Sequence, residues 1–127
     1  MITSVYPVLM SRSVAATAAF FVDHFGFETT FDADWYISLR RGDHELAVLD
    51  ALHETIPDGY RAPATGILVN IEVDDVDALH RELSDAGVPV ARPLRSEEFG
   101  QRHVIVVAPG NVLVDVIEPI AFTGQYA

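Results

Sequence analysis

SVAATAAFFVDHFGF (residues 13–27) and DDVDALHRELSDAGV (residues 74–88) spell one order of elements twice. Each opens on a residue whose side-chain oxygen can cap a helix, runs through an apolar stripe and closes on a glycine. In the first, Val14, Ala18, Phe21 and Phe25 recur at helical spacing before Gly26; in the second, Val76, Leu79 and Leu83 recur before Gly87. Setting Gly26 on Gly87 also sets Ser13 on Asp74, 61 residues on, so helix starts and stops repeat together. Small repeated units bury their apolar faces against each other, and the groove between them is a natural ligand site.

Working outward from the first helix, residues 4–10 read as a strand, and 27–31, 35–40 and 45–49 as three more, divided by Asp32-Ala33-Asp34 and Arg41-Gly42-Asp43. Residues 52–65 hold Pro57, Asp58-Gly59 and Pro63 without any period and form a linker. Around the second helix the strands are 66–73, 88–94, 103–107 and 112–117, with Pro109-Gly110-Asn111 as the last tight turn, Pro119 as the stop and a peripheral tail. The expected fold is α+β: one domain over residues 1–127, made of two β-α-β-β-β modules at about 1–51 and 66–120.

Length and charge narrow the function. At 127 residues and 13.9 kDa the chain is one domain with a real core. Half of it is hydrophobic, yet no apolar run approaches the roughly 18 to 20 residues of a membrane span. Met1-Ile2-Thr3-Ser4 lacks a signal-peptide pattern, so the cytoplasm is the expected location. There is no Cys, which removes disulfides, thiolate metal sites and thiol nucleophiles. Nineteen acids face eight bases, all of them Arg, for a formal charge of −11. Such a surface repels nucleic acid and attracts a cationic small molecule. No Gly-x-Ser-x-Gly elbow and no glycine-rich phosphate loop occur.

The doubled β-α-β-β-β order, His24-Phe25-Gly26-Phe27-Glu28, Glu72-Val73-Asp74-Asp75-Val76-Asp77, and Phe99-Gly100-Gln101-Arg102 with Pro109-Gly110-Asn111 resemble the glyoxalase/bleomycin-resistance/extradiol-dioxygenase superfamily, the vicinal oxygen chelate fold. Pro7-Val8-Leu9 through Val14-Ala15 to Gly26-Phe27 looks most like its bleomycin-resistance proteins. The resemblance implies a partly open, eight-stranded, barrel-like trough of two four-stranded sheets, in a homodimer. It also implies, for the enzymes, a divalent metal held by His, Glu or Gln from the first and last strands of each half. Those positions fall near Tyr6, at Leu68 and at Val114, with Asp115 adjacent; the fourth strand offers only Glu45 at its start. Leu and Val cannot ligate a metal. A one-residue slip would bring in Asp115 but turn it to the other face.

Ligand-binding candidates follow. Trp35 and Tyr36 stand after an acidic turn, and Phe99 lies between Glu97-Glu98 and Gly100; aromatic faces beside carboxylates suit flat cations. In the resembling resistance proteins an aromatic stands before this glycine, near the drug groove. Gln101 and His103 share a strand face with Ile105 and point toward the trough, whose walls are Val8, Leu68 and Val114, with Tyr6 as a further stacking surface. His24, His44, His53 and His80 are assigned to helices, a turn and the linker. The expected function is non-catalytic capture of an antibiotic or related natural product, cationic or aromatic, without cofactor. The alternative is a divalent-metal-dependent lyase, isomerase or dioxygenase using the same trough; a third is a dimer that holds a metabolite for another protein.

Overall fold

The computed structural model describes residues 1–127. Its eight strands form two separate four-stranded mixed sheets, each backed by one helix, in the order β-α-β-β-β twice. The α+β expectation holds, and the sheets do not join into one hydrogen-bonded ring. The chain divides into two compact units, residues 1–66 with 109–111, and 67–108 with 112–127.

In the first unit, β1 (Val8–Ser11) lies parallel to β4 (His44–Asp50), which pairs antiparallel with β3 (Tyr36–Arg41), and β3 in turn with β2 (Glu28–Asp32). The first strand starts at Val8 rather than at residue 4. Pro7 has no amide hydrogen for the ladder, and only its carbonyl takes part, accepting from Ala47 N–H at 3.1 Å. Leu9, Ser11, Ile37, Leu39, Leu46 and Val48 are buried on the face that α1 (Val14–Phe25) covers, with Val14, Ala18, Phe20 and Phe21 packed from the helix. Val8, Met10, Ala47, Leu49, Tyr36, Ser38 and Phe31 occupy the opposite, open face by strand alternation and register.

Ser13 starts α1 without the expected side-chain cap. Its carbonyl instead accepts the Thr17 N–H at 2.9 Å, and its N–H donates to Ser11 Oγ at 2.9 Å. The buried Thr17 hydroxyl lies 2.7 Å from the carbonyls of Ser13 and of Pro109, so its one proton is shared between them. Ser11 Oγ therefore donates to Thr17 Oγ1 at 2.9 Å. Gly26 ends the helix at φ 70°, in the left-handed region expected of it.

In the second unit, β5 (Leu68–Glu72) lies parallel to β8 (Val112–Pro119), followed by β7 (Gln101–Ala108) and β6 (Val90–Glu97). Of the two acids at the start of α2 (Val76–Asp85), Asp75 rather than Asp74 is the cap, its carboxylate accepting Ala78 N–H at 3.0 Å. Val104, Val106, Val114 and Val116 form the helix-side face with Val76 and Leu83. Here β6 reaches Glu97, past the expected end at 94. It does so with register shifts between Val90 and Arg92 and between Arg92 and Arg95, around Pro93. The tail is tied to the β6–β7 turn: Ile120 N–H donates to Gly100 O and Thr123 N–H to Glu98 O, both at 2.9 Å.

Candidate functional site

On the open face of the second sheet, alternation aligns Gln101, His103 and Ile105 of β7. Ile105 stands opposite Asp115 and His103 opposite Ile117; across β8, Leu113 pairs with Leu68 and Asp115 with Asn70. The β6–β7 hairpin register brings Glu97 opposite Gln101 and Arg95 opposite His103. A buried polar chain results. His103 Nδ1 is 2.8 Å from Asp115 Oδ1, and Nε2 is 2.9 Å from Glu97 Oε2, with both His103 and Asp115 only 5% exposed.

A protonated ring would donate to both carboxylates, one from each nitrogen. Burial pulls the His103 pKa down, but hydrogen bonds to Glu97 and Asp115 and their charges outweigh it and raise the value. Glu97 is held below the ordinary carboxylate range, first by its bond to His103 and then by Arg95 and Arg92. Those guanidiniums contact Glu97 at 3.1 Å and 3.5 Å. Phe99 meets His103 edge-on at 6.2 Å and Tyr126 at 6.0 Å, so the tail braces the aromatic beside the imidazole.

The first unit carries a different constellation. Trp35 stacks on His53 at 3.9 Å with ring planes 10° apart, and touches Tyr36 edge-on at 5.8 Å. Phe31 meets Tyr36 at 6.4 Å. Partial burial, then its bond to Tyr6, raises the Tyr36 hydroxyl above the usual phenol range. Asp34, at φ 65°, and the Asp32 carboxylate that accepts its N–H at 2.9 Å keep acid beside these rings.

The expected residues thus fall into groups. Phe99 and His103 are in contact, Gln101 shares their strand face, and Leu68 lies on the same sheet face, 45% exposed. Tyr6 and Trp35 both adjoin Tyr36 in the first unit. Val114 is fully buried and does not line an open face. It pairs with Val69, one step from the Leu68–Leu113 pair, and that step turns it toward α2. Glu97, His53 and Tyr126 lay outside the sequence-based set. Hairpin register brings in Glu97, tail docking brings in Tyr126, and stacking of the linker on Trp35 brings in His53, none of them visible as spacing.

The glyoxalase/bleomycin resistance protein/dioxygenase superfamily model matches residues 4–116. The chain belongs to this superfamily. No curated protein sequence matches it. Solved structures share the fold at low identity. A superfamily enzyme from Burkholderia phytofirmans PsJN matches with TM-score 0.78 at 18% identity, covering 91% of this chain and 97% of that one. The lactoylglutathione lyase from Agrobacterium tumefaciens gives 0.74 at 21%, with 92% and 94% covered. A superfamily member from Sphaerobacter thermophilus gives 0.74 at 20%, with 93% and 98% covered.

Superfamily membership raises the question of a metal. Leu68 offers no donor, Val114 offers none and faces α2, and Tyr6 stands before the strand as a phenol bonded to Tyr36. The donors on the open face of the second sheet include Glu97, His103, Asp115 and Glu72, and both ring nitrogens of His103 are already taken by carboxylates at 2.8 and 2.9 Å. This donor set does not fit a resident metal. Asp75, Asp77 and Glu118 bring carboxylate oxygens within 4.8 Å, but each has a task. Asp75 caps α2, Asp77 pairs with Arg102 at 2.8 Å and Glu118 accepts the Val76 N–H at 3.1 Å.

Proposed function

We propose that this superfamily member binds a small aromatic molecule without transforming it, in the manner of drug-sequestering resistance proteins. One observation carries the reading. The positions at which the resemblance implies metal ligands carry Leu68, Val114 and an off-strand Tyr6, while the imidazole on the open face is committed to two carboxylates. Support on the binding side comes from the half-exposed rings of Tyr6, Trp35, Phe31 and Phe99, which offer π-faces beside carboxylates. Protection by such a protein works through affinity and abundance. A homodimer belongs to the same reading.

Trp35 is the only tryptophan, so its fluorescence reports a ring stacking in the first unit. The test is a thermal-shift and fluorescence screen of aromatic antibiotics and metabolites, beside elemental analysis of protein purified without chelator. Ligand-dependent stabilisation without divalent metal is the expected result. One equivalent of metal per chain, with a large metal-dependent rise in melting temperature, would replace the reading with the metal-dependent enzyme.

A further inference from the structure

The most charged feature of the second unit lies on its edge strand. Alternation along a regular strand would send Arg92 and Arg95, three positions apart, to opposite faces. The register shift between them inserts one extra residue in β6 at Pro93–Leu94, so Arg92 pairs with Ile105 and Arg95 with His103. Ile105 and His103 share the open face of β7, and both arginines therefore stand on that face. Arg92 reaches Glu97 through a terminal nitrogen at 3.5 Å, and Arg95 through Nε at 3.1 Å. Their side chains are 48% and 56% exposed, so each guanidinium keeps N–H groups within reach of a ligand from solvent. Glu97 itself is only 10% exposed and is already bonded to His103.

The same face also carries three carboxylates, Glu97 and Asp115 at His103 and Glu72 on β5 opposite Ile117, so the two guanidiniums make a local positive edge rather than an excess of charge over the whole face. Beside the guanidiniums the same face runs into Ile105 and the exposed pair Leu113 and Leu68, 39% and 45% exposed. A paired fork next to apolar surface matches an oxyanion attached to an apolar body. We infer that Arg92 and Arg95, set side by side by the β6 bulge, form a binding site for the carboxylate or phosphate group of an organic molecule whose apolar part lies on Ile105, Leu113 and Leu68. Asp115 and Glu97 hold His103 in place behind them. The acidic remainder of the surface repels an anion at long range, but that field is screened beyond about 8–10 Å at ordinary salt, and the guanidinium contacts decide the bound state.

This goes beyond the aromatic-binding reading, and calorimetry on the full chain separates the two. The probes are 2-naphthoate, 2-naphthalenemethanol and 2-naphthylmethylammonium, which share a ring, together with inorganic phosphate. The expected result is 2-naphthoate held at least about tenfold more tightly than the ammonium. Phosphate binds measurably, and both effects vanish in R92Q/R95Q. Both positions are exposed on an edge strand, so an unchanged melting temperature verifies the fold of that variant. Equal binding of all three rings overturns the oxyanion site and leaves the aromatic-binding reading standing. A naphthoate preference that survives in R92Q/R95Q overturns it as well. No ring binding, with phosphate still held through Arg92 and Arg95, upholds the site and counts against the aromatic reading. No binding of any probe overturns both.

Discussion

Folding decides the charge of an imidazole bonded to carboxylates at both nitrogens, and His103 is such a residue. Its folded pKa lies above the ordinary 6.5, so its stabilisation is complete below 6.5 and is lost as pH rises through the folded value. Glu97 lies below its ordinary 4.5, so its contribution is present above 4.5 and is lost as pH falls through the lower folded value. Urea unfolding across pH should therefore show a maximum between these limits, and His103→Gln should flatten the alkaline side; parallel profiles above 6.5 would refute the imidazolium. Trp35→Ala and Phe99→Ala should each weaken an aromatic ligand by about 1 to 3 kcal/mol by calorimetry, without unfolding the chain. Gly110 sits at φ +83°, where an added Cβ would meet Ser11 Oγ and lie 2.7 Å from Thr17 Oγ1. Gly59 has φ +89° with nothing nearby. Thermal unfolding should show Gly110→Ala costing roughly 3 kcal/mol and Gly59→Ala about 1 kcal/mol, the difference being the clash.

Among the elements, the two helix starts look alike in sequence and differ in bonding. Asp75→Ala removes a carboxylate that accepts Ala78 N–H and should cost about 1 kcal/mol, whereas Ser13→Ala removes no cap and should cost little; paired urea titrations compare them. Element order and type were legible because stripes of period 3.6 closed by Gly26 and Gly87 leave few alternatives. Strand faces were less so. The strand ends Ser11 and Glu72 lie 61 positions apart but the helix starts Val14 and Val76 lie 62 apart, so no single offset carries one module onto the other. A one-position error in a strand puts a side chain behind the sheet, as it did for Val114 when counted from the turn at Asn111. The same limit hid Glu97 and Arg95, which the β6–β7 hairpin register brings beside His103, and Arg92, which a bulge sets on their face.

At the scale of the whole molecule, no helix is long and apolar enough to cross a membrane. Apolar groups nevertheless stay uncovered on both open faces: Val8 and Phe31 on the first sheet, 38% and 54% exposed, and Leu68 and Leu113 on the second. A face of that kind meets a partner in most stable proteins. Light scattering should give twice the 13.9 kDa of one chain, and a monomer at working concentrations would contradict this. Added zinc, nickel or manganese should leave the melting temperature unchanged, since a tight site would stabilise the fold by several kcal/mol at saturation.

The irregularities in the edge strands reach further than ligand binding. Both sheets end on a hairpin strand whose ladder is broken, β2 between Thr29 and Phe31 and β6 on either side of Arg92, with Pro93 lacking a donor. An incoming strand from another molecule would find no continuous row of N–H and C=O groups to copy there, which guards a half-hydrophobic chain against fibril growth. Deleting the extra residue at Pro93–Leu94 would leave the two arginines two positions apart and on one face, while removing one of the two breaks in the row. Seeded fibril assays on that deletion variant should then show faster growth than on the parent chain.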